Sequence, residues 1–194
     1  MRANHHAVKH CVDTVRISER GPLIPCGSQI INGIIDATAL VAGIAETTRI
    51  LAGDKPVSVE LMIPDLPILV MTDPVVLRRV VMTLVSNTLR TMERGKITIS
   101  LRVIGSTPEI VVTGTGSGYR PNLPAGRDAA MDRAGNAVSR IDEANVPGLG
   151  VSRYLTRLIG GSISVRSVYG RGAMFTLTLP LRAADRRRDL YAVE

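Results

Sequence analysis

The sequence predicts a two-layer α/β sandwich in which helices cover one face of a mixed, mainly antiparallel β-sheet. Helical segments alternate with pairs of strands along the chain, which is typical of a sheet covered by helices. The strand segments alternate apolar and polar residues and lack the continuous apolar runs of a parallel sheet buried on both faces. With 45% hydrophobic and 21% charged residues among 194, the composition is globular. Only 3% of the residues are aromatic, so we expect an aliphatic core.

The first part of the chain supplies two helices and two strands. A short helix is predicted over residues 3–19 and a long one over residues 28–53, with Ser28 as its N-cap and a glycine at its end. Alternating apolar residues predict a strand over 57–63. A short apolar run bracketed by prolines predicts another strand over 68–71.

The central part of the chain continues with a helix and a hairpin. Asp73 and Pro74 are an N-cap and a first-turn proline, and they predict a helix over 74–92 whose apolar residues form one buried stripe. Alternation then predicts a strand over 96–104, and residues 109–114 are its expected antiparallel partner.

The last part begins with an irregular segment and ends in regular structure. Residues 115–147 show no sustained periodicity, and a loop of that length is usually functional or disordered. A helix is predicted over 148–159, followed by strands over 162–167 and 173–181.

The charge of the chain is strongly positive, with 24 Lys and Arg against 17 Asp and Glu and a net charge of +7. A positive field favours polyanionic partners. However, the cations are scattered except at residues 182–188, where a solvated tail is the simpler interpretation. Four Tyr, one Phe and no Trp also argue against a base-stacking RNA module. We therefore expect no nucleic-acid partner.

The cysteine count and the hydropathy pattern indicate the compartment. Two cysteines cannot build a disulfide framework or a cysteine zinc site. No stretch reaches the roughly 18 apolar residues that span a bilayer, and the first residues lack an apolar signal segment. We therefore expect a soluble cytoplasmic domain, whether or not its parent protein is bound to a membrane.

Three polar side chains share one face of the helix predicted over 74–92. Thr83, Asn87 and Arg90 have the spacing i, i+4, i+7. The amide oxygen of Asn87 suits a hard cation such as Mg²⁺, and the guanidinium of Arg90 suits a phosphate. An ordinary polar helix face is the alternative interpretation of this pattern.

Two glycine-rich segments also suit a phosphate ligand. Gly114, Gly116 and Gly118 alternate at the end of a strand, where missing side chains let a ligand approach the backbone. Gly148 and Gly150 flank a leucine at the start of a helix, where free N–H groups and the helix dipole attract anions. A plain turn and a plain helix cap remain the alternatives.

Taken in order, these segments resemble the ATP-binding catalytic domain of sensor histidine kinases, within the ATPase superfamily that includes type II topoisomerases and DNA mismatch-repair ATPases. Residues 73–90 are similar to the asparagine box of that family, and residues 112–121 to its first glycine box. Residues 148–181 are similar to its second glycine box and closing hairpin. The resemblance implies the Bergerat-type ATP-binding fold.

The resemblance also implies a domain organisation. Residues 1–27 resemble the end of a dimerisation helix and its linker, residues 28–182 the ATP-binding catalytic domain, and residues 183–194 are a basic C-terminal tail. The three histidines near the N-terminus lack the acidic residue and arginine that follow the phosphoaccepting histidine in the family. The chain is therefore expected to lack its own phosphoacceptor.

The resemblance implies that ATP and Mg²⁺ are cofactors and that the domain is a protein-histidine kinase. The γ-phosphoryl group would pass to a histidine in the dimerisation domain of the same protein, with a response regulator as a further partner and a homodimer as the full-length state. No residue is assigned a catalytic role. The implied roles are Mg²⁺ ligation by Asn87, phosphate contact by Arg90 and by the backbone of Gly148, Leu149 and Gly150, and lining of the adenine pocket by Gly114, Gly116 and Gly118.

The sequence departs from the family pattern at three places. Gly114 stands where the family has an Asp that accepts the adenine amino group, a loss of about 1.5–3 kcal/mol. Thr83 stands where hydrolytic relatives carry a Glu that activates water, and residues 119–147 contain no Phe. The alternative is therefore a degenerate domain with weak or no ATP binding that acts as a signalling or interaction module. If only the adenine-reading group is missing, Gly114→Asp is expected to restore binding.

Overall fold

The computed structural model describes residues 30–119 and 146–180. The predicted helix over 3–19, the dimerisation and linker segment, the basic tail and most of the irregular segment lie outside the described residues. In chain order the elements are β1 (Gly33–Asp36), α1 (Ala37–Ala52), β2 (Val57–Met62), β3 (Leu69–Thr72), α2 (Pro74–Arg90), β4 (Gly95–Ile104), β5 (Thr107–Gly114), α3 (Leu149–Leu158), β6 (Ser162–Val168) and β7 (Gly172–Thr178).

The main sheet has five strands in the order β2-β4-β5-β7-β6. Only the pairing of β2 with β4 is parallel, and the other three pairings are antiparallel. Helix α1 packs against β2 and β4, α2 against β5 and β7, and α3 against β6. The predicted two-layer α/β sandwich with a mixed, mainly antiparallel sheet is confirmed, including the hairpin of β4 and β5.

The three helices meet the sheet through apolar stripes. In α2 the stripe is fully buried and consists of Leu77, Val80, Val81, Leu84 and Val85. They pack with inward-facing residues of the sheet such as Phe175 and form one core. The helices have 16, 17 and 10 residues. None of those within 30–119 and 146–180 is long and apolar enough to cross a membrane.

The long helix predicted over 28–53 is wrong at its start. Residues 33–36 form β1, which pairs antiparallel with β3, and the helix begins only at Ala37. Asp36 is the N-cap, because its Oδ1 accepts from the N–H of Thr38 at 2.8 Å. The isoleucines before Asp36 are compatible with a strand as well as with a helix. They form a strand because β3 is available as an antiparallel partner. Ser28, the predicted N-cap, lies outside the described residues.

Asp73 connects the start of α2 to the chain segment before β1. Its Oδ1 accepts from the N–H groups of Val75 and Val76 at 2.9 and 3.1 Å, as the sequence predicted for an N-cap. Its Oδ2 accepts from the N–H of Ile31 at 2.9 Å, a contact 42 residues away that the sequence did not indicate. Burial acts to raise the pKa of Asp73, but the three N–H groups outweigh it and the pKa lies below its ordinary value.

Replacing Asp73 by Ala is expected to lower the free energy of unfolding by about 1–2 kcal/mol at neutral pH, the usual loss for a helix N-cap. Because the pKa of the folded-state carboxyl is lowered, its contribution is present above the pKa of the unfolded chain. That contribution is lost as the pH falls through the folded-state pKa. Urea unfolding from pH 7 to pH 2 measures both effects.

The exposed Asp65 offers a matched control, and Asp65→Ala is expected to change little. The wild type and Asp73→Ala should converge in stability as the pH falls, whereas the difference between wild type and Asp65→Ala stays small throughout. A difference between wild type and Asp73→Ala that is independent of pH would contradict the role assigned to the ionised carboxylate.

Candidate functional site

Asn87 lies in the last turn of α2 and is almost completely buried, with 2% of its surface exposed. Its Nδ2 donates to the carbonyl oxygen of Pro147, 2.9 Å away, so Oδ1 is the acceptor end of a fixed amide. Pro147 directly precedes Gly148, and the methyl group of Thr83 lies 3.2 Å from the position that a Cβ added at that glycine would take. The fold thus brings the predicted Asn87 and Gly148 together from positions about 60 residues apart.

The carbonyl oxygen of Asn87 also has a partner outside its helix. Helix α2 tightens at its end, where the N–H of Thr91 bonds to the carbonyl of Thr88 at 3.1 Å. This three-residue turn takes the N–H that the Asn87 carbonyl would accept in a regular α-helix. The hydroxyl of Tyr119 donates to that carbonyl instead, at 2.9 Å. Tyr119 therefore completes the end of α2 at the predicted site.

Tyr119 is itself anchored to the C-terminal hairpin. Its N–H donates to the Oγ of Ser167 in β6 at 2.9 Å, and that hydroxyl donates to the carbonyl of Gly172 at 3.0 Å. Its ring meets Phe175 edge to face with centroids 6.1 Å apart. Burial raises the pKa of Tyr119 to about 12, against the opposing effect of the positive charge of Arg90. The phenol is therefore a neutral donor at physiological pH.

Gly114 and Gly116 pack directly against the end of α2. A Cβ added at Gly114 would overlap the Thr88 methyl and lie 2.9 Å from the Met92 sulfur. One added at Gly116 would overlap the Thr91 carbonyl and lie 2.7 Å from the Met92 Cγ. Both glycines are therefore required by contact with the chain's own atoms, independently of any ligand.

Gly118 is required for a different contact. Its φ of +66° favours glycine, and an added Cβ would lie 2.6 Å from the carbonyl of Gly172 and 2.7 Å from the Oγ of Ser167. Residues 115–118, the glycine loop, thus pass between the end of α2 on one side and the adjoining ends of β6 and β7 on the other.

Arg90 and Gly116 border one open cleft of about 440 Å³. The cleft lies where the end of α2, the glycine loop and the β6–β7 turn meet. Arg90 is exposed, so its guanidinium is available to a bound anion. The described residues that line the cleft are Arg90, Thr91, Glu93, Arg94, Thr115, Gly116, Ser117 and Gly170.

The start of α3 offers fewer free donors than the sequence suggested. Gly148 is the N-cap in the left-handed region at φ 73°. The side chain of Leu149 is fully buried in the core, and its N–H already donates to the carbonyl of Val146 at 3.1 Å. Gly150 is exposed at the second helical position, where an N–H has no partner within the helix. Of the three predicted residues, Gly150 is best placed to meet an anion.

The donor set of the described residues suits a hard cation better than zinc. Within residues 30–119 and 146–180, no group of three or more His, Cys, Asp or Glu could hold a metal. The fixed amide oxygen of Asn87 is a single hard ligand, which fits Mg²⁺ because that ion keeps several waters and shares phosphate oxygens. A site built for zinc would require a different set of side chains.

Several residues of the site were not indicated by the sequence. Tyr119, Ser167 and Pro147 hold Asn87 in place, and Thr88 and Met92 pack against the glycine loop. Tyr119 carried a usable signal, since it is one of only five Tyr and Phe residues and directly follows the glycine series. The others carry no local pattern, because their contacts depend on the fold.

The chain matches the family described as histidine kinase-, DNA gyrase B-, and HSP90-like ATPase over residues 72–183. It is 31% identical to the sensor histidine kinase RcsC of Escherichia coli K12 over 122 residues, covering 63% of this chain and 13% of that protein. It is 30% identical to the histidine protein kinase DivJ of Caulobacter vibrioides over 155 residues, covering 78% of this chain and 26% of that protein. The chain therefore spans about a quarter or less of these relatives.

Two solved structures have a fold similar to that of this chain. Full-length ShkA in complex with AMPPNP superposes with a TM-score of 0.61 at 22% identity, covering 78% of this chain and 31% of that one. The catalytic domain of the histidine kinase ThkA superposes with a TM-score of 0.58 at 18% identity, covering 77% and 95%. At these identities the likeness shows the fold.

The raised pKa of Tyr119 is expected to make the stability of the fold depend on pH in the alkaline range. Because the pKa of the folded state is about 12 against an ordinary 10, the folded chain keeps a proton that the unfolded chain loses. Stability is therefore expected to fall between pH 10 and 12, by up to about 1.4 kcal/mol per pH unit. Tyr119→Phe cannot titrate, so its stability should fall less steeply in urea unfolding measured across this range.

Tyr154→Phe is the matched control, because Tyr154 lies on α3 with 46% of its surface exposed. It should follow the wild type across the alkaline range. At pH 7, Tyr119→Phe should be less stable by about 1 kcal/mol for the lost hydrogen bond to Asn87. Parallel curves for wild type and Tyr119→Phe above pH 10 would contradict the assignment.

Proposed function

Because the chain belongs to the family of histidine kinase-, DNA gyrase B- and HSP90-like ATPases, and its described residues form a histidine kinase-type ATP-binding domain, we propose that it binds a nucleoside triphosphate with Mg²⁺ and supplies the γ-phosphoryl group to a histidine. The observation that carries this proposal is the bond between Asn87 Nδ2 and the Pro147 carbonyl. It holds a hard oxygen ligand beside the start of α3, so a metal ligand and an anion-binding backbone adjoin.

We propose a role for each of these groups. Asn87 Oδ1 would hold Mg²⁺, which when bound neutralises charge on the phosphate oxygens. Arg90 would contact the phosphate chain from the exposed end of α2, and the N–H of Gly150 would meet it from α3. Transfer by such a site rests on positioning and electrostatic stabilisation more than on covalent chemistry.

Thr83 disfavours hydrolysis as the main reaction. Its hydroxyl donates to the carbonyl of Arg79 at 2.9 Å, one turn earlier in α2. A threonine hydroxyl engaged in this way cannot act as the base that activates water. The acceptor of the phosphoryl group is therefore proposed to be the nucleophilic side chain of another domain.

The partners are proposed from the relatives, whose printed names are those of sensor histidine kinases. We assign residues 1–27 to the end of a dimerisation helix and its linker, residues 28–182 to the ATP-binding domain, and residues 183–194 to a basic tail. The phosphoacceptor histidine would lie in the dimerisation domain of a homodimer, with a response regulator as the next acceptor. We place the domain in the cytoplasm.

The alternative is a domain that keeps the fold but binds ATP weakly or not at all and acts as a signalling or interaction module. The absence of a carboxylate at position 114 favours it. Calorimetric titration of the chain with Mg-ATP and Mg-ADP separates the two. Heat of binding at about hundred-micromolar protein supports the proposal, and no binding supports the alternative.

Arg90→Ala is expected to weaken Mg-ATP binding by about tenfold or more, because a charge-assisted contact contributes about 1.5–3 kcal/mol. Arg102→Ala is the matched control. Arg102 pairs with Glu109 on the main sheet and does not line the cleft. Equal Kd values for wild type and Arg90→Ala would contradict the role given to Arg90.

Asn87→Ala is expected to remove the dependence of nucleotide binding on Mg²⁺. Titrations with ATP in Mg²⁺ and in EDTA should differ for the wild type and coincide for the variant, because the hard ligand is gone. Thermal unfolding monitors the fold, since the same change deletes the donor to Pro147. A folded Asn87→Ala variant with undiminished Mg²⁺ dependence would show that the ion is held elsewhere.

A further inference from the structure

Position 114 faces the end of α2. Along β5 the inward-facing residues Ile110 and Val112 are fully buried under the helical layer, and residue 114 follows them on the same side of the strand. A side chain at 114 would therefore point at α2, next to the cleft that Arg90 borders. The groups that fill this space decide whether position 114 can carry a side chain.

Two apolar groups already occupy that volume. Thr88 is fully buried, and its hydroxyl donates to the carbonyl of Leu84 at 2.9 Å, which fixes its rotamer and leaves the methyl directed at Gly114. Met92 is 1% exposed, and its sulfur lies 2.9 Å from the position of an added Cβ. A carboxylate at 114 would thus have to displace a methyl that a hydrogen bond holds in place.

We propose that Thr88 and Met92 set the specificity of the nucleotide site indirectly. Their apolar groups take the space of a side chain at 114 that could read the base, so the site selects its ligand through the phosphate chain irrespective of the base. This inference rests on the proposed function and names its substrate class: nucleoside triphosphates without discrimination between adenine and guanine.

The chemistry of base reading supports this class. Adenine and guanine differ at C6, where one has an amino donor and the other a carbonyl acceptor, so telling them apart requires a polar group aimed at that edge. Because a methyl and a thioether fill the space beside Gly114, no side chain at that position can offer such a group. Glu93 is the one carboxylate among the described residues that line the cleft, and it follows the end of α2, away from strand β5 and position 114 in the sequence.

The same packing changes the expectation for Gly114→Asp. The sequence alone suggests that this substitution restores the missing carboxylate. Because the new Cβ would overlap the Thr88 methyl, the single variant is expected to lose stability without gaining selectivity. Thr88→Ser removes only the obstructing methyl and keeps the hydroxyl bonded to Leu84. The double variant should therefore accept the carboxylate that the single variant cannot.

The experiment is competitive titration of the full chain with Mg-ATP, Mg-GTP and Mg-tripolyphosphate, with thermal unfolding of each variant. The variants are Gly114→Asp, Thr88→Ser and the two combined. Thr48→Ser is the matched control, since Thr48 in α1 is also fully buried and also donates to the carbonyl four residues earlier, at 2.7 Å. It is expected to reproduce the effect of methyl loss on stability without changing nucleotide preference.

In the wild type, the Kd values for ATP and GTP are expected to agree within about threefold, and tripolyphosphate should displace both. Gly114→Asp should unfold at a lower temperature and keep that ratio. The double variant should recover stability and prefer ATP by about tenfold or more, the usual gain from a charge-assisted hydrogen bond.

Two results would overturn the proposal while leaving the proposed function intact. One is a wild type that prefers ATP over GTP by more than about tenfold, which would place base reading elsewhere. The other is a Gly114→Asp variant that gains this preference without loss of stability, which would mean that Thr88 does not obstruct position 114. If ATP, GTP and tripolyphosphate all fail to bind the folded wild type, both the proposed function and this inference are wrong.

Discussion

The hydrogen bonds around Asn87 hold the candidate site together. Its side chain donates to Pro147 at the entry to α3, and its carbonyl accepts from Tyr119 at the end of the glycine loop. Tyr119 in turn is fixed by Ser167 in the closing hairpin. Three parts of the chain that are far apart in sequence therefore meet at one buried residue, and Tyr119 connects a fourth to it. Since buried polar groups are costly to leave unpaired, the arrangement of these parts is coupled, and the position of the amide oxygen follows from all of them.

Gly114, Gly116 and Gly118 are required for the packing of the chain, whether or not a ligand is bound. At 114 and 116 the space of a side chain is taken by Thr88, Thr91 and Met92, and at 118 by the adjoining ends of β6 and β7. The loop can approach α2 this closely only because it carries no Cβ there. The same closeness brings the backbone to the edge of the cleft, so a packing requirement and a binding surface share residues. Glycine spacing alone cannot distinguish these two uses.

Much of the fold could be predicted because its signals are local. The N-cap Asp73, the apolar stripe of α2 and the alternation in β4 each depend on residues close in sequence, and all three appear in the structure. The exception is the start of α1, where isoleucines compatible with both a helix and a strand pair with β3 instead. A strand partner about 35 residues away leaves no trace in the local pattern, so this boundary was wrong.

By itself the sequence determined the fold class and the identity of the polar groups near the site. Periodicity indicates which residues face the core, and capping residues indicate where a helix begins. Its resemblance to histidine kinases agrees with the family match over residues 72–183. Only the tertiary structure decided that Asn87 adjoins Pro147, that the N–H of Leu149 is already used, and that Thr88 and Met92 fill the space beside Gly114. The physical reason is that hydrogen-bond partners and occupied volumes depend on which distant elements pack together. No short sequence pattern contains that information.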